Sequence, residues 1–133
     1  MASDERAGYV NQMNIQFGPL AVFDEKALSD ACPHRWFNQS LCEVNDAVVR
    51  MGVVEGEYHW HEHDDTDEFF YVVEGRWLID LEGRTIDLGP RQGVVVPRGV
   101  RHRPRAPVRT VILMIERRGV DPTGSGLAPR SPE

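Results

Sequence analysis

Three histidines stand at every second position in one short stretch, His59, His61 and His63, at the start of HWHEHDDTDEFFYVVEG (residues 59–75). A carboxylate, Glu68, follows after a short acidic run. In an extended strand, side chains at alternate positions leave on one face. At least two of the imidazoles therefore point the same way, and Glu68 can return to that face at the start of the next strand. Imidazole and carboxylate are the ligand set of a borderline divalent metal such as Fe, Mn, Ni, Co or Zn. The stretch reads as half of a metal site.

The elements that must position these groups are strands. Trp36 to Val44, the Val-rich run Ala47 to Val54, Tyr58 to His63, Glu68 to Glu74, Trp77 to Leu81, Thr85 to Leu88, Val94 to Val96, Val100 to Arg105 and Val108 to Glu116 all read as extended. Turn chemistry separates them: Asn45-Asp46, Gly75, Glu82-Gly83-Arg84, Gly89-Pro90 and Pro97-Arg98-Gly99. Ala21 to Leu28 fits a short strand or a helical turn equally well. Many short strands with Gly/Pro punctuation predict one all-β sandwich or barrel over residues 17–118. Residues 1–16 hold little that packs beyond Tyr9, Val10 and Ile15, which predicts a flexible arm or a strand lent to a partner subunit. Residues 119–133 are rich in Pro, Gly and Ser and are expected to be disordered.

A second motif lies downstream. Pro97-Arg98-Gly99-Val100-Arg101-His102 places a histidine just after a Pro-x-Gly turn and a Val-rich strand. His61-x-His63, four residues, Glu68, six residues, Gly75, followed by Pro97-x-Gly99, two residues, His102, resembles the two motifs of the cupin superfamily. The resemblance spans roughly residues 47 to 116. Gly56 is one residue closer to His61 than that pattern asks, Arg91 stands where a Gly is expected, and Ala106 stands where the second motif has Asn. The resemblance implies a single-domain jelly-roll barrel with a metal held by His61, His63, Glu68 and His102. Three neutral imidazoles and one carboxylate around a divalent ion leave up to two octahedral positions open, the mark of a catalytic or ligand-binding metal.

Other residues carry weaker signals. His59 shares the alternation but lies outside the motif, and reads as a pocket-lining or surface histidine. With Glu68 spent as a ligand, Tyr58, His59 and Arg98 are the nearest candidates for a catalytic base or substrate contact. Arg101, Arg103, Arg105 and Arg109 are expected on an outer face beside the acids, because His102 points inward. If Glu68 and Phe70 face inward, Phe69, Tyr71 and Val73 form an apolar outer stripe, covered by the N-terminal segment or by a second copy in a homodimer.

Bulk composition bounds the function. The chain has 133 residues, a net charge of −6 and two cysteines, Cys32 and Cys42. That balance points to neither nucleic acid nor an anionic membrane. No apolar run approaches a membrane span, and MASDERAG lacks the features of a signal peptide, so a cytoplasmic protein with reduced thiols is expected. The site predicts one divalent transition metal (Fe, Mn, Ni or Zn) and a mononuclear metalloenzyme of dioxygenase type, with a redox metal such as Fe(II), acting on a small polar molecule. The alternatives are a Lewis-acid isomerase or lyase using Zn, Mn or Ni, and a non-enzymatic metal-dependent binding module.

Overall fold

β-branched and aromatic runs become strands wherever Gly, Pro and Asn let the chain reverse. The structure, a computed structural model, describes the backbone of residues 2–4 and residues 9–119. Its elements are β1 (Ala2–Asp4), β2 (Tyr9–Gln12), α1 (Glu25–Asp30), β3 (Trp36–Val44), β4 (Ala47–Glu57), β5 (Glu68–Glu74), β6 (Trp77–Leu81), β7 (Arg84–Leu88), β8 (Gly93–Val96) and β9 (Arg103–Arg117). The fold is all-β, as expected.

The strands form one curled sheet in the order β1-β2-β3-β4-β9-β5-β8, with β6 joining β9 to β7. The long β9 closes the jelly roll. Its second half pairs with β5 and its first half with β6, while β4 lies along its other edge. The expected strands 100–105 and 108–116 are thus one element. Pro107 is accommodated where the β4–β9 register slips between Val54 and Gly56, since a bulge needs no ladder N–H.

Curling divides the apolar side chains into two sets. Trp36, Val54, Phe70, Val72, Trp77, Ile79, Ile112 and Met114 fill the barrel interior. Phe37, Leu41, Met51, Val53 and Val111, on the opposite pleat, pack under Val10, Phe17, Phe23 and Leu28. The N-terminal segment therefore covers the sheet. Tyr9–Gln12, expected in a loose arm, instead runs parallel to Trp36–Gln39 of the same chain, because Val10 has an apolar surface to bury there. The undecided stretch 21–28 resolves as α1, started by Asp24, whose carboxylate accepts the Ala27 N–H at 3.1 Å. Arg109 donates to the Ser29 carbonyl at 2.7 Å and pins α1 to β9. Val73 of the outer stripe is covered by this layer, while Phe69 and Tyr71 stay half-exposed. The disorder expected after Gly119 falls on residues outside those described. Among the described residues, no helix is long and apolar enough to cross a membrane.

Two backbone positions explain how the motif glycines work. Gly75 has φ +94°, and a Cβ there would lie 2.6 Å from Thr110 Cα and 2.7 Å from the Arg109 carbonyl oxygen. Arg91, where the resembling pattern has Gly, adopts φ +69°. The left-handed turn is kept even though its usual residue is absent.

Candidate metal centre

The site is assembled from four segments. β5 begins at Glu68 with Glu68, Phe70 and Val72 facing inward. His61 and His63 lie on the extended segment after β4. His102 precedes β9. Glu116 lies near the end of β9 on the same inward pleat as Ile112 and Met114. His61, His63, Glu68, His102 and Glu116 are all buried, with exposures of 4% or less.

The backbone sets the positions of the candidate ligands. His61 and His102 form an antiparallel bridge, each N–H donating to the other's carbonyl at 2.9 Å. The Gly99 N–H donates to the His63 carbonyl at 2.8 Å, so the Pro-x-Gly turn braces the first motif. The side-chain hydrogen bonds then set the tautomers. His61 Nδ1 lies 3.0 Å from the His59 carbonyl, and His102 Nδ1 lies 2.9 Å from the Val100 carbonyl. A carbonyl only accepts, so both Nδ1 atoms carry the proton and both Nε2 atoms present lone pairs inward.

Those lone pairs meet a carboxylate. Ligand atoms of His61, Glu68 and His102 lie within 4.8 Å of one another, and so do those of His63, Glu68 and Glu116. Glu68 Oε1 is 3.3 Å from His63 Nε2 and 3.7 Å from His102 Nε2. His63 Nδ1 and Nε2, Glu68 Oε1, His102 Nε2 and Glu116 Oε1 are buried with no hydrogen-bond partner. Buried polar atoms left unpaired are costly, and a divalent cation is the group that would satisfy a cluster of this composition. The residues present fit such an ion. The four predicted residues all reach the cluster, but in two groups that share Glu68: His61 and His102 stand on one side of it, His63 and Glu116 on the other.

Electrostatics follow from the crowding. Burial, reinforced by His102, lowers the His61 imidazole to about 3. Burial alone would raise Glu68, but contacts from His102 and His63 outweigh it and hold the carboxyl at about 2. Glu116 goes the other way. Burial and the neighbouring Glu68 raise it to about 8, against the opposing pull of Arg50. Arg50 is itself buried and binds Glu116 Oε2 and, at 3.2 Å, Ser40 Oγ.

The three expected catalytic residues separate. Tyr58 walls the interior cavity, with its ring stacked on Trp36 at 5.2 Å. The His59 ring stacks over Tyr58 at 4.2 Å and is not a cavity wall, although its carbonyl orients His61. Arg98, the third candidate for a base or substrate contact, faces Asp67. Its N–H donates to Asp67 Oδ1 at 3.0 Å and its half-exposed guanidinium lies 3.5 Å from the same oxygen. The acid loop captures it because Asp67 is the nearer anion. Arg103 and Arg105 do pair outward, both with Asp80, at 2.9 and 2.8 Å.

Glu116 and Arg50 carry no motif and escape a reading of spacing alone. The signal was the alternation Ile112, Met114, Glu116, which puts the acid on whichever face the apolar residues take. Beside His61 and Glu68 lies a small cavity of about 30 Å³, walled by Trp36, Tyr58, Phe70, Trp77, Ile112 and Met114 and reached also by Asn38.

A jelly roll with this histidine–carboxylate cluster defines the cupin class. The Cupin_2 family model, described as a cupin domain, matches residues 47–116, and the chain belongs to that family. The chain is 43% identical over 91 residues to the uncharacterized protein YdbB of Bacillus subtilis (strain 168), covering 68% of this chain and 80% of that one. It is 49% identical over 57 residues to polyketide synthase CurC of Streptomyces cyaneus, covering 43% of this chain but only 35% of that protein. Among solved structures, a cupin-2 domain protein from Shewanella frigidimarina NCIMB 400 superposes with a TM-score of 0.70 at 36% identity, over 73% of this chain and 95% of that one.

Proposed function

We propose that this cupin is a mononuclear metalloenzyme of dioxygenase type, its metal held by His61, His63, Glu68 and His102. The observation that carries the reading is the set of buried, unpartnered nitrogen and oxygen atoms converging beside a walled cavity. A bound Fe(II) would supply redox chemistry with O₂; the protein supplies the rest. The carbonyls of His59 and Val100 hold two imidazoles as neutral donors. The aromatic and aliphatic walls exclude water and bind the body of the substrate.

Those walls would hold the apolar part of a small molecule whose polar end meets the cluster. The polar end would face His61 and Glu68. The Trp77 N–H, buried and unpartnered on the same wall, offers a donor. A related segment in a protein named as a polyketide synthase is compatible with a carbon-skeleton substrate. We also read the half-exposed Phe69 and Tyr71, with the exposed Val95 and Ile115, as a face for a second copy of the chain. The two free cysteines fit a cytoplasmic location.

The test is metal analysis of protein purified without added metal, followed by O₂ uptake with small candidate substrates. Iron with substrate-dependent O₂ consumption supports the reading; zinc alone with no O₂ consumption sinks it. One observation favours a Lewis-acid isomerase or lyase as the second reading: Glu116 holds a proton near neutral pH beside His63, as a proton-transfer reaction needs. If a His61→Ala variant loses metal yet keeps the cellular function, a binding module replaces both.

A further inference from the structure

We propose that loop 18–22 of one copy of this chain seats on the bare half of the outer sheet face of a second copy, and the reverse, in a closed two-fold pair. The inference rests on the reading of that face as a contact between copies, and it names the segment that fills it.

The face is continuous by register. Val95 pairs with Phe69, Phe69 with Ile115, Ile115 with Val49 and Val49 with Cys42, so one row of apolar side chains crosses five strands from β8 to β3. Phe69, Val49 and Cys42 are half-buried, and Val95 and Ile115 are exposed. The N-terminal layer covers Phe37, Met51, Val53 and Val111, the other half of the same face, and stops short of this row. A row of this kind facing water marks an interaction surface.

The loop is built to project. Its base is anchored on both sides. The Phe17 N–H donates to the Leu41 carbonyl at 2.9 Å, the Phe17 and Phe23 rings lie 5.2 Å apart, and Asp24 caps α1. Between these anchors the Ala21 N–H donates to the Gly18 carbonyl at 3.1 Å and closes a tight turn around Pro19 and Leu20. Leu20 takes φ +69°, at the turn position that favours Gly. Leu20 is 102% exposed and Val22 92%, so both side chains touch almost nothing of their own chain. A contact outside the chain accounts for a bulky residue held in a strained turn and aimed at water.

Charge completes the match. Asp24 and Glu25 follow the loop, and Arg117 stands exposed beside Ile115 on the same pleat. Those acids also argue against an anionic membrane as the occupant. Because loop and face belong to one chain, two copies related by a two-fold axis satisfy both at once.

The experiment is sedimentation of the full chain over a range of concentrations. Leu20→Asp/Val22→Asp alters the loop, and Val95→Asp/Ile115→Asp alters the face. Leu20→Gly removes the side chain while suiting the turn, so it keeps the fold; circular dichroism checks every variant. The wild type is expected to dimerise, and each variant to dissociate about tenfold or more readily. Mixing the loop and face double variants should restore a mixed dimer weaker than the wild type, since one loop and one face then remain intact. Loop variants as dimeric as the wild type, or a mixture that stays monomeric, overturn the pairing of loop with face and leave the face free to meet its own copy. A wild type that is monomeric at every concentration overturns both readings.

Discussion

His61 and His102 exchange both of their backbone hydrogen bonds, each 2.9 Å long, across 41 positions of chain. The two motifs are thus joined by main chain before any side chain takes part. Each histidine also orients its own ring through a carbonyl two residues upstream. Removing one imidazole should therefore abolish the site without undoing the fold. His61→Ala is expected to lower metal content per chain by about tenfold or more, since even outer partners are worth roughly 10–100-fold. Elemental analysis and circular dichroism on the same sample check both halves of the statement.

Gly75 tests the turn that sends β5 into β6. Gly75→Ala would force a Cβ within 2.6 Å of Thr110 Cα at a backbone angle of +94°. Strain and overpacking together should cost about 2–5 kcal/mol. A fall in Tm on the order of 10 °C is expected by calorimetry. By contrast, Arg91→Gly relieves a left-handed non-glycine, and Tm should hold or rise.

The loop between the motifs separates side chain from backbone. Asp67 accepts the Arg98 N–H at 3.0 Å, whereas its ion pair with the Arg98 guanidinium is half-exposed. Arg98→Ala should cost no more than about 0.5 kcal/mol. Asp67→Ala removes the support of the backbone as well, and should cost roughly 1 kcal/mol. Urea denaturation of the two variants against the wild type decides; equal losses would mean the guanidinium matters more than the loop N–H.

The pH dependence of the metal-free protein has a definite sign. Glu116 titrates at about 8 in the fold against an ordinary 4.5, so the folded state holds a proton the unfolded chain has lost, and stability falls as pH rises across that window. His61 titrates at about 3 against 6.5, so its contribution rises with pH up to 6.5. Glu68, held at about 2, adds to the loss on the acid side. Between pH 6.5 and 8 Glu116 acts together with His63. Burial alone would lower that imidazole, but Glu68 and Glu116 outweigh burial and hold it above its ordinary value. Both contributions are lost as pH rises, and stability should drop by at least about 1–2 kcal/mol. Denaturant titrations in chelator should show that drop in the wild type and a smaller one in Glu116→Gln, where His63 still responds to Glu68.

Much of this protein was readable from residues alone, because the relevant signals are local. Alternation along His59–His63, the acid after a short loop and the Pro-x-Gly turn before His102 each follow from strand pleat and turn chemistry within a few residues. They sufficed for the all-β class, most strand positions and the burial of His61, His63, Glu68 and His102 near one another. Where the side chains of Arg98 and His59 rest was not legible in the sequence, since their neighbours Asp67 and Tyr58 decide it.

What tertiary structure decided is long-range. Tyr9–Gln12 became a strand only because β3 presented an edge and Val10 an apolar partner. Glu116 and Arg50 look like an ordinary strand-end acid and a lone base; pairing of β9 with β4 brings them together across 66 positions and turns both inward. Ligand spacing is set by the pleat of a single strand, and sequence alone determines it. Which polar side chains complete the cluster depends on the register between strands, and that exists only once the barrel closes.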